Sequence, residues 1–443
     1  MTPDIWWTDL TQAEPAGAIS RDGRPATWVA VDYEIDRGKG VMLFGQPGSG
    51  APPLTLRLNR HGWHEIRLGI FYGSGAGSLA QRTLCAKLSS DPAFSRFCLE
   101  DYRAGKDGHY PEKSLRWCDL AEAFWKCADL TGQALIIARP PRGEMANSET
   151  NLAYVRLVPM DENAVAQWKS EQPSQRTKVL VANYDGGSLS QWGVCTPEDF
   201  LAEFECLRDS DFDIALYGVA ACCCTAYPSK VGTLYWPGGW LRECLQKGID
   251  PLAEAIKAAH ACGVKLFPQN RLRGLNLPPT AHAAVHPGEV LADYPEWLCT
   301  YADGEPTRHL SLAFPEVREL YVRLLREWVE DYAADGVNVL FSRSFPFVYY
   351  ERPVCDAFRE QYGEDMRQLP VSDLRVQRTR AGFVTEFLRE VRAMLDQVGK
   401  AQGRHIPNCY SVPVHNSPPN IPERVTLSGL SECLFNALDV PAW

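Results

Sequence analysis

FPEVRELYVRLLREWVEDYAADGVNVLF, residues 314–341, is the stretch on which the fold turns. Pro315 suits a first helical turn, where its missing N–H costs nothing. Val317, Leu320, Tyr321, Leu324, Leu325, Trp328 and Tyr332 then recur at helical spacing and make one apolar face. Asp335-Gly336 stops that helix, and Val337-Asn-Val-Leu-Phe341 follows as an apolar run of strand length. The stretch therefore reads as a helix delivering a buried strand.

The same alternation continues on both sides. Upstream, Val179-Leu-Val-Ala-Asn183 reads as a strand, and Thr196-Pro-Glu-Asp as a helix start with Thr196 as N-cap. Phe200, Phe204 and Leu207 give that helix its apolar face. Asp213-Ile-Ala-Leu-Tyr-Gly-Val219 is a second strand. Asp250-Pro251 starts a helix carrying Leu252, Ile256 and Ala259, Gly263 stops it, and Val264-Lys-Leu-Phe267 is a third strand. After the fourth strand at 337–341, a helix with Phe383, Phe387, Val391, Met394, Leu395 and Val398 precedes Gly399, and residues 406–412 make a fifth strand.

Alternating elements with near-continuous apolar strands specify an α/β fold with a parallel sheet and right-handed crossovers. No Gly-x-Gly-x-x-Gly follows the first strand, so the expectation is a (β/α)8 TIM-type barrel and not a doubly wound sheet. Five of eight units are countable over residues 178–443, so the barrel is expected to be incomplete at the C-terminus. Residues 1–160 differ. Runs such as Trp28-Val-Ala-Val-Asp-Tyr33, Leu54-Thr-Leu-Arg-Leu58, His64 to Ile70, Ala134-Leu-Ile-Ile-Ala138 and Asn151 to Val158 are short, β-branched and broken by glycine and proline. They predict an all-β, jelly-roll-like sandwich. Polar residues 161–177 are expected to link the two.

Composition narrows the function classes. The chain has 443 residues, 45% hydrophobic and 23% charged, which suits two globular domains. A net charge of −10 without a basic stripe argues against nucleic acid and anionic membranes as partners. No apolar run approaches the ~20 residues of a membrane helix, and no signal peptide is visible at the N-terminus. The expected location is thus the cytoplasm, with the fifteen cysteines reduced.

Several motifs resemble the glycosyl-hydrolase-like family ten and related bacterial barrel proteins. They are Ala261-Cys-Gly-Val-Lys-Leu-Phe267 leading to Asn270-Arg271, Tyr294-Pro-Glu-Trp297, Leu310 to Arg318, Asp331-Tyr-Ala-Ala-Asp-Gly-Val337, Phe341-Ser-Arg343 and Tyr350-Glu351. Trp125 to Leu130 and Leu152 to Pro159 resemble a galactose-binding-like sandwich placed ahead of such barrels. The resemblance implies a carbohydrate-active barrel, a glycoside hydrolase acting on an oligo- or polysaccharide. One departure stands out: relatives carry an acid at the end of the strand after Asp-Gly-Ile/Val, whereas Asn338-Val-Leu-Phe-Ser-Arg343 has none.

Barrel sites lie at the carboxyl ends of the strands. Asp185 and Glu351 are the two acids placed there, and glycoside hydrolysis uses a pair of carboxyl groups. Their structural alternatives are an Asx turn before Gly186-Gly187 for Asp185, and a helix N-terminal acid or arginine partner for Glu351. Substrate-binding candidates are Tyr217, Tyr227, Trp236, Asn270, Arg271, Trp297, Arg343, Asn408, Tyr410 and His415. Arginines at strand ends hold sugar hydroxyls or carboxylates with a two-pronged donor, and an internal ion pair to Asp185, Asp293 or Glu351 is the alternative. Rings such as Trp236, Trp240 and Trp297 either stack on sugars or fill core, and Trp297 could pin its loop to the barrel rim.

No cofactor or metal is expected. Cys222-Cys-Cys224 has no CxxC partner, and His282, His286 and His309 fit no common face. The glycine runs at 45–50 and 73–77 lack the Lys-Ser/Thr of a phosphate loop and read as sandwich loops. Two readings remain beside the hydrolase: a non-catalytic sugar-binding barrel, and a lyase or isomerase handling a small acidic metabolite through Arg271 and Arg343.

Overall fold

The computed structural model describes residues 3–35, 38–71, 82–99, 120–171, 179–186, 189, 192–234, 240–272, 294–342, 346–412, 434 and 437–439. The chain divides into two compact units. One comprises Met1–Val179, Gly187–Phe212 and Ala261–Gly263, and the other Leu180–Gly186, Asp213–His260 and Val264–Trp443.

The first unit holds a four-stranded and an eight-stranded sheet. Alternation of apolar and polar residues turns one face of each sheet inward. Ile66, Leu68, Ile70, Val155 and Leu157 of the smaller sheet join Leu43, Leu54, Leu84, Leu135 and Ile137 of the larger in one core. Trp28 is fully buried there and donates from Nε1 to the Pro52 carbonyl at 2.8 Å, which satisfies its one polar atom. The run at 151–158, which reads as a single strand, is two. Glu149–Leu152 lies in the large sheet and Tyr154–Pro159 in the small one, with the break at Ala153, whose N–H goes to Gly69 and whose carbonyl accepts from Tyr33. Within the polar stretch 161–177, Glu162–Glu171 is an α-helix, begun by the Asp161 side chain accepting from the Ala164 N–H.

The second unit contains all five strands expected from sequence: β1 (Leu180–Tyr184), β2 (Phe212–Ala221), β3 (Lys265–Arg271), β4 (Val337–Leu340) and β5 (Asn408–Ser411). They pair in the order β1-β2-β3-β4-β5, with β2–β3, β3–β4 and β4–β5 parallel. Spatial order following chain order, without a reversal, is single winding; it curls the sheet into a half-barrel and sends the right-handed crossovers to one face. Two short strands, Cys224–Thr225 and Thr233–Leu234, extend the sheet beside the end of β2.

The helices begin and end for local reasons. α1 (Pro197–Phe204) starts in a capping box, Thr196 and Asp199 each bonding the other's backbone N–H. It belongs to the first unit, where Arg142 and Arg96 pair with Asp199 and Glu203. α2 (Pro251–Ala261) is started by Asp250, whose Oδ1 accepts from Leu252 and Ala253 N–H. α3 (Pro315–Glu330) buries Val317, Tyr321, Leu324, Leu325 and Trp328 of the predicted face; Leu320 is half-buried, and Tyr332 lies beyond the helix, which ends before the expected Asp335-Gly336 stop. α4 (Arg352–Tyr362) closes on Gly363 at φ 72°. α5 (Leu374–Gln402) runs past Gly399, where the sequence suggested a stop, and ends on Gly403. Gly399 serves packing instead: a Cβ there would stand 2.5 Å from the Arg404 carbonyl. No helix among the described residues is long and apolar enough to cross a membrane.

Candidate functional site

Register decides which strand-end side chains face which way. Parallel partners project to the same side and neighbours along a strand to opposite sides. Gln269 pairs with Asn338 and Asn338 with Cys409; one step further along the strands Asn270 pairs with Val339 and Val339 with Tyr410. Asn408 shares the second face and accepts from Arg392 of α5 at 2.7 Å, so that is the face the helices cover. The concave face therefore carries Gln269, Arg271, Asn338, Leu340, Cys409 and Ser411. Along β2, a bulge between Gly218 and Ala220 resets the phase, putting Gly218 beside Gln269 and Ala221 beside Arg271.

Asp185 reaches that face by a close backbone crossing. A Cβ on Gly218 would lie 3.0 Å from the Asp185 carbonyl carbon and oxygen, and one on Gly186 would lie 2.5 Å from the Gly218 oxygen. With glycine at both positions, and Gly186 at φ +81°, the chain after β1 passes over β2. Asp185 then forms a hydrogen-bonded ion pair with Arg271 on β3. The arginine is largely covered and the aspartate about half exposed, so the pair presents its acid side outward. Beside it, Gln269 is 1% exposed and its Oε1 has no hydrogen-bond partner among the described residues. Such a group costs stability unless a ligand or water meets it. Asn338 is held by the Cys409 carbonyl at 3.1 Å and the Ser411 hydroxyl at 3.3 Å.

Glu351 is placed differently. It is the N-cap residue of α4, 2% exposed, and its carboxylate accepts the N–H groups of Thr300 at 3.1 Å and Tyr349 at 2.9 Å. Burial pushes its pKa above the ordinary glutamate value, against the pull of those N–H groups. Nearby, fully buried Arg380 donates to the Val348 carbonyl and lies over the Tyr349 ring. Asp185 and Glu351 thus serve separate partners.

The other sequence candidates divide by location. Asn270 is 1% exposed on the helix-covered face, with neither amide atom partnered among the described residues. Tyr410 lies on that face too, its hydroxyl pushed up to about 12 chiefly by burial. Tyr217, fully buried, packs on Tyr184 at 5.9 Å between centroids. Tyr227 is core: its hydroxyl donates to Glu327 and accepts from Trp328 Nε1. Trp297 stacks on Tyr294 at 4.0 Å and 9° in a short turn. Trp236, Arg343 and His415 lie outside the described residues, as do Asp293, His282, His286 and the glycine run at 73–77. Cys222, Cys223 and Cys224 are buried and form no disulfide among the described residues. Gln269, Asn338 and Ser411 escaped sequence reading because the strand pattern gives a residue's distance from the strand end but not its face.

A family model described as glycosyl hydrolase-like 10 matches residues 190–399. No curated protein matches the chain. Among solved structures the chain is similar to alpha-L-fucosidase isoenzyme 2 from Paenibacillus thiaminolyticus, at 13% identity and TM-score 0.37 over 55% of this chain and 33% of that one. It is also similar to an alpha-galactosidase from Lactobacillus brevis, at 11% identity and TM-score 0.28 over 84% and 49%. A third is a GH20 exo beta-N-acetylglucosaminidase from Vibrio harveyi, at 10% and 0.31 over 62% and 37%. The matched part spans between a third and a half of the length of these proteins.

Proposed function

We propose that this chain is a carbohydrate-active barrel protein of the glycosyl hydrolase-like kind, which receives an oligosaccharide on the concave face at the carboxyl ends of β1, β3, β4 and β5. The carrying observation is the Asp185–Arg271 pair beside the buried, unmet oxygen of Gln269. A saccharide presents hydroxyls that both donate and accept. Arg271 donates, Asp185 and the Gln269 carbonyl accept, and Asn338 can do either. The family match at 190–399 supports the sugar class. In this reading the two-sheet unit is a galactose-binding-like sandwich.

Within hydrolysis, Asp185 is the carboxylate open to a substrate and the group assigned acid–base or nucleophilic work. The non-catalytic alternative is favoured by Glu351, whose oxygens are engaged by backbone N–H groups in a buried cap. Calorimetric titration with a panel of oligosaccharides tests both. Binding that weakens about tenfold or more in Arg271→Gln supports the site, since a hydrogen bond to a charged group contributes ~1.5–3 kcal/mol. Turnover in the parent that vanishes in Asp185→Asn while binding persists identifies a hydrolase. Oligosaccharide binding indifferent to both substitutions would remove the concave face from the function.

A further inference from the structure

The two-sheet unit contains a cavity of about 690 Å³, within the range of small-molecule sites. Its wall is mostly proline, alanine and glycine with one ring, Phe94, and it includes Gly48 and Gly50 of the glycine run at 45–50. Those two glycines adopt φ +65°, a backbone conformation that glycine takes without strain.

Three cations line it: Lys87, Arg96 and Arg139. Arg96 is neutralised by Glu203 at 2.8 Å, and Asp199, also on the wall, is taken by Arg142 at 2.7 Å. Arg139 has no acidic partner among the described residues. It is 9% exposed, and its Nη atoms donate only to neutral acceptors: the Ala146 carbonyl at 2.7 Å, with the Ser148 carbonyl and Ser49 hydroxyl at 3.5 Å. Its Nε has no partner among the described residues. Lys87 holds its ammonium 5.1 Å from the Phe94 ring centroid and forms no ion pair among the described residues. Against these two cations the wall sets one further acid, Glu198, exposed on the first turn of α1. The arginine's position is built in: a Cβ on Gly45 would stand 2.6 Å from Arg139 Cδ, so glycine there lets the stem cross the strand.

A covered guanidinium without an anion is costly in a protein and is relieved by a ligand that brings one. We infer that this cavity is a second, separate ligand site, which takes a carboxylate-bearing sugar, a uronate unit. Arg139 and Lys87 meet the carboxylate, while Phe94 and the prolines cover the C–H faces of the ring. The sugar part of this assignment rests on the carbohydrate reading above; the carboxylate part rests on the unpaired cations alone.

The test is calorimetric titration of the full chain with methyl β-glucuronide and with methyl β-glucoside, which differ only in the carboxylate. The glucuronide is expected to bind at least tenfold more tightly, and Lys87→Gln and Arg139→Gln each to weaken it about tenfold or more. Arg271→Gln, in the other unit, should leave glucuronide binding unchanged. Equal binding of the two glycosides, or glucuronide binding untouched by Lys87→Gln, overturns the site. Cyclohexanecarboxylate binding as tightly as the glucuronide overturns the sugar assignment. Lys87 is partly exposed, so its variant carries the result even if Arg139→Gln fails to fold. If oligosaccharides ignore the concave face but glucuronide binding depends on Lys87, the proposed function fails and this site stands; the reverse pattern fails this site alone.

Discussion

Replacing Gly336 by alanine should destabilise the half-barrel, while the same replacement at Gly382 should stabilise it. Gly336 immediately precedes β4, against Phe267 of β3 on the concave face. An added methyl carbon would stand 2.7 Å from the Phe267 Cζ and 2.7 Å from the Pro407 carbonyl oxygen. Phe267 is 2% exposed and Pro407 is backbone at the entry to β5, so neither can yield cheaply. Overpacking of this kind costs roughly 1–3 kcal/mol. Restricting the unfolded chain returns about 0.4–1 kcal/mol, because Gly336 has a backbone angle that alanine adopts. The net expectation is a loss of about 1–2 kcal/mol. Gly382 lies on the exposed side of α5 with nothing within 4 Å of an added Cβ, so alanine there gains about 0.5–1 kcal/mol of helix propensity. Guanidinium unfolding followed by far-UV ellipticity measures both, the midpoints being compared at unchanged slope. A Gly336→Ala protein as stable as the parent, or two shifts of the same sign, would refute the packing argument.

Three further outcomes follow from the same contacts. Burial raises the Glu351 pKa above its ordinary 4.5, so its stabilising contribution is complete below that value and is lost as pH rises through the raised one. Parent and Glu351→Gln should therefore diverge in unfolding midpoint between pH 4 and 8, the parent losing ground as pH rises; a constant difference would contradict this. Glu327→Ala removes the common acceptor of the Tyr227 and Ser229 hydroxyls and the Lys230 N–H, at 2.8, 2.6 and 2.6 Å, and should cost about 3 kcal/mol in denaturant unfolding. A loss under 1 kcal/mol would show that water replaces it. Gly218→Ala pushes a methyl against the Asp185 backbone and should reduce oligosaccharide affinity as Arg271→Gln does, with the fold intact by circular dichroism; unchanged affinity would sever Asp185 from the site.

Legibility followed the range of the interactions involved. The five strands and the starts of α1, α2 and α3 were readable because each is set by neighbours in sequence: apolar runs, Thr196 with Asp199, Asp250 before Pro251, Pro315 after Phe314. The face on which a strand-end residue lands is set by pairing, and pairing is not local. Asn270 and Arg271 are adjacent and both polar, yet register sends Arg271 to the concave face and Asn270 under the helices. The bulge at Val219 further defeats counting by twos along β2. The break at Ala153 was hidden for a related reason, since both halves of 151–158 carry strand-like residues and only the partner sheets differ. Glu351 shows the converse. Its position ahead of Arg352-Pro353 marks a helix start, but its burial depends on Thr300 of a distant hairpin.

The Asp185–Arg271 contact also sets the terms on which anything else meets that arginine. Arg271 is never vacant: it arrives at each encounter already holding a tethered rival, delivered by a two-glycine crossing. A newcomer with a single weak acceptor must evict a full charge and loses that exchange. One that offers acceptors to Arg271 while donating hydroxyls to the displaced Asp185 satisfies both halves at once. If the concave face receives an oligosaccharide as proposed, the pair would favour polyhydroxylated molecules over simple anions, with a threshold set by how firmly the crossing over Gly218 holds the aspartate in place.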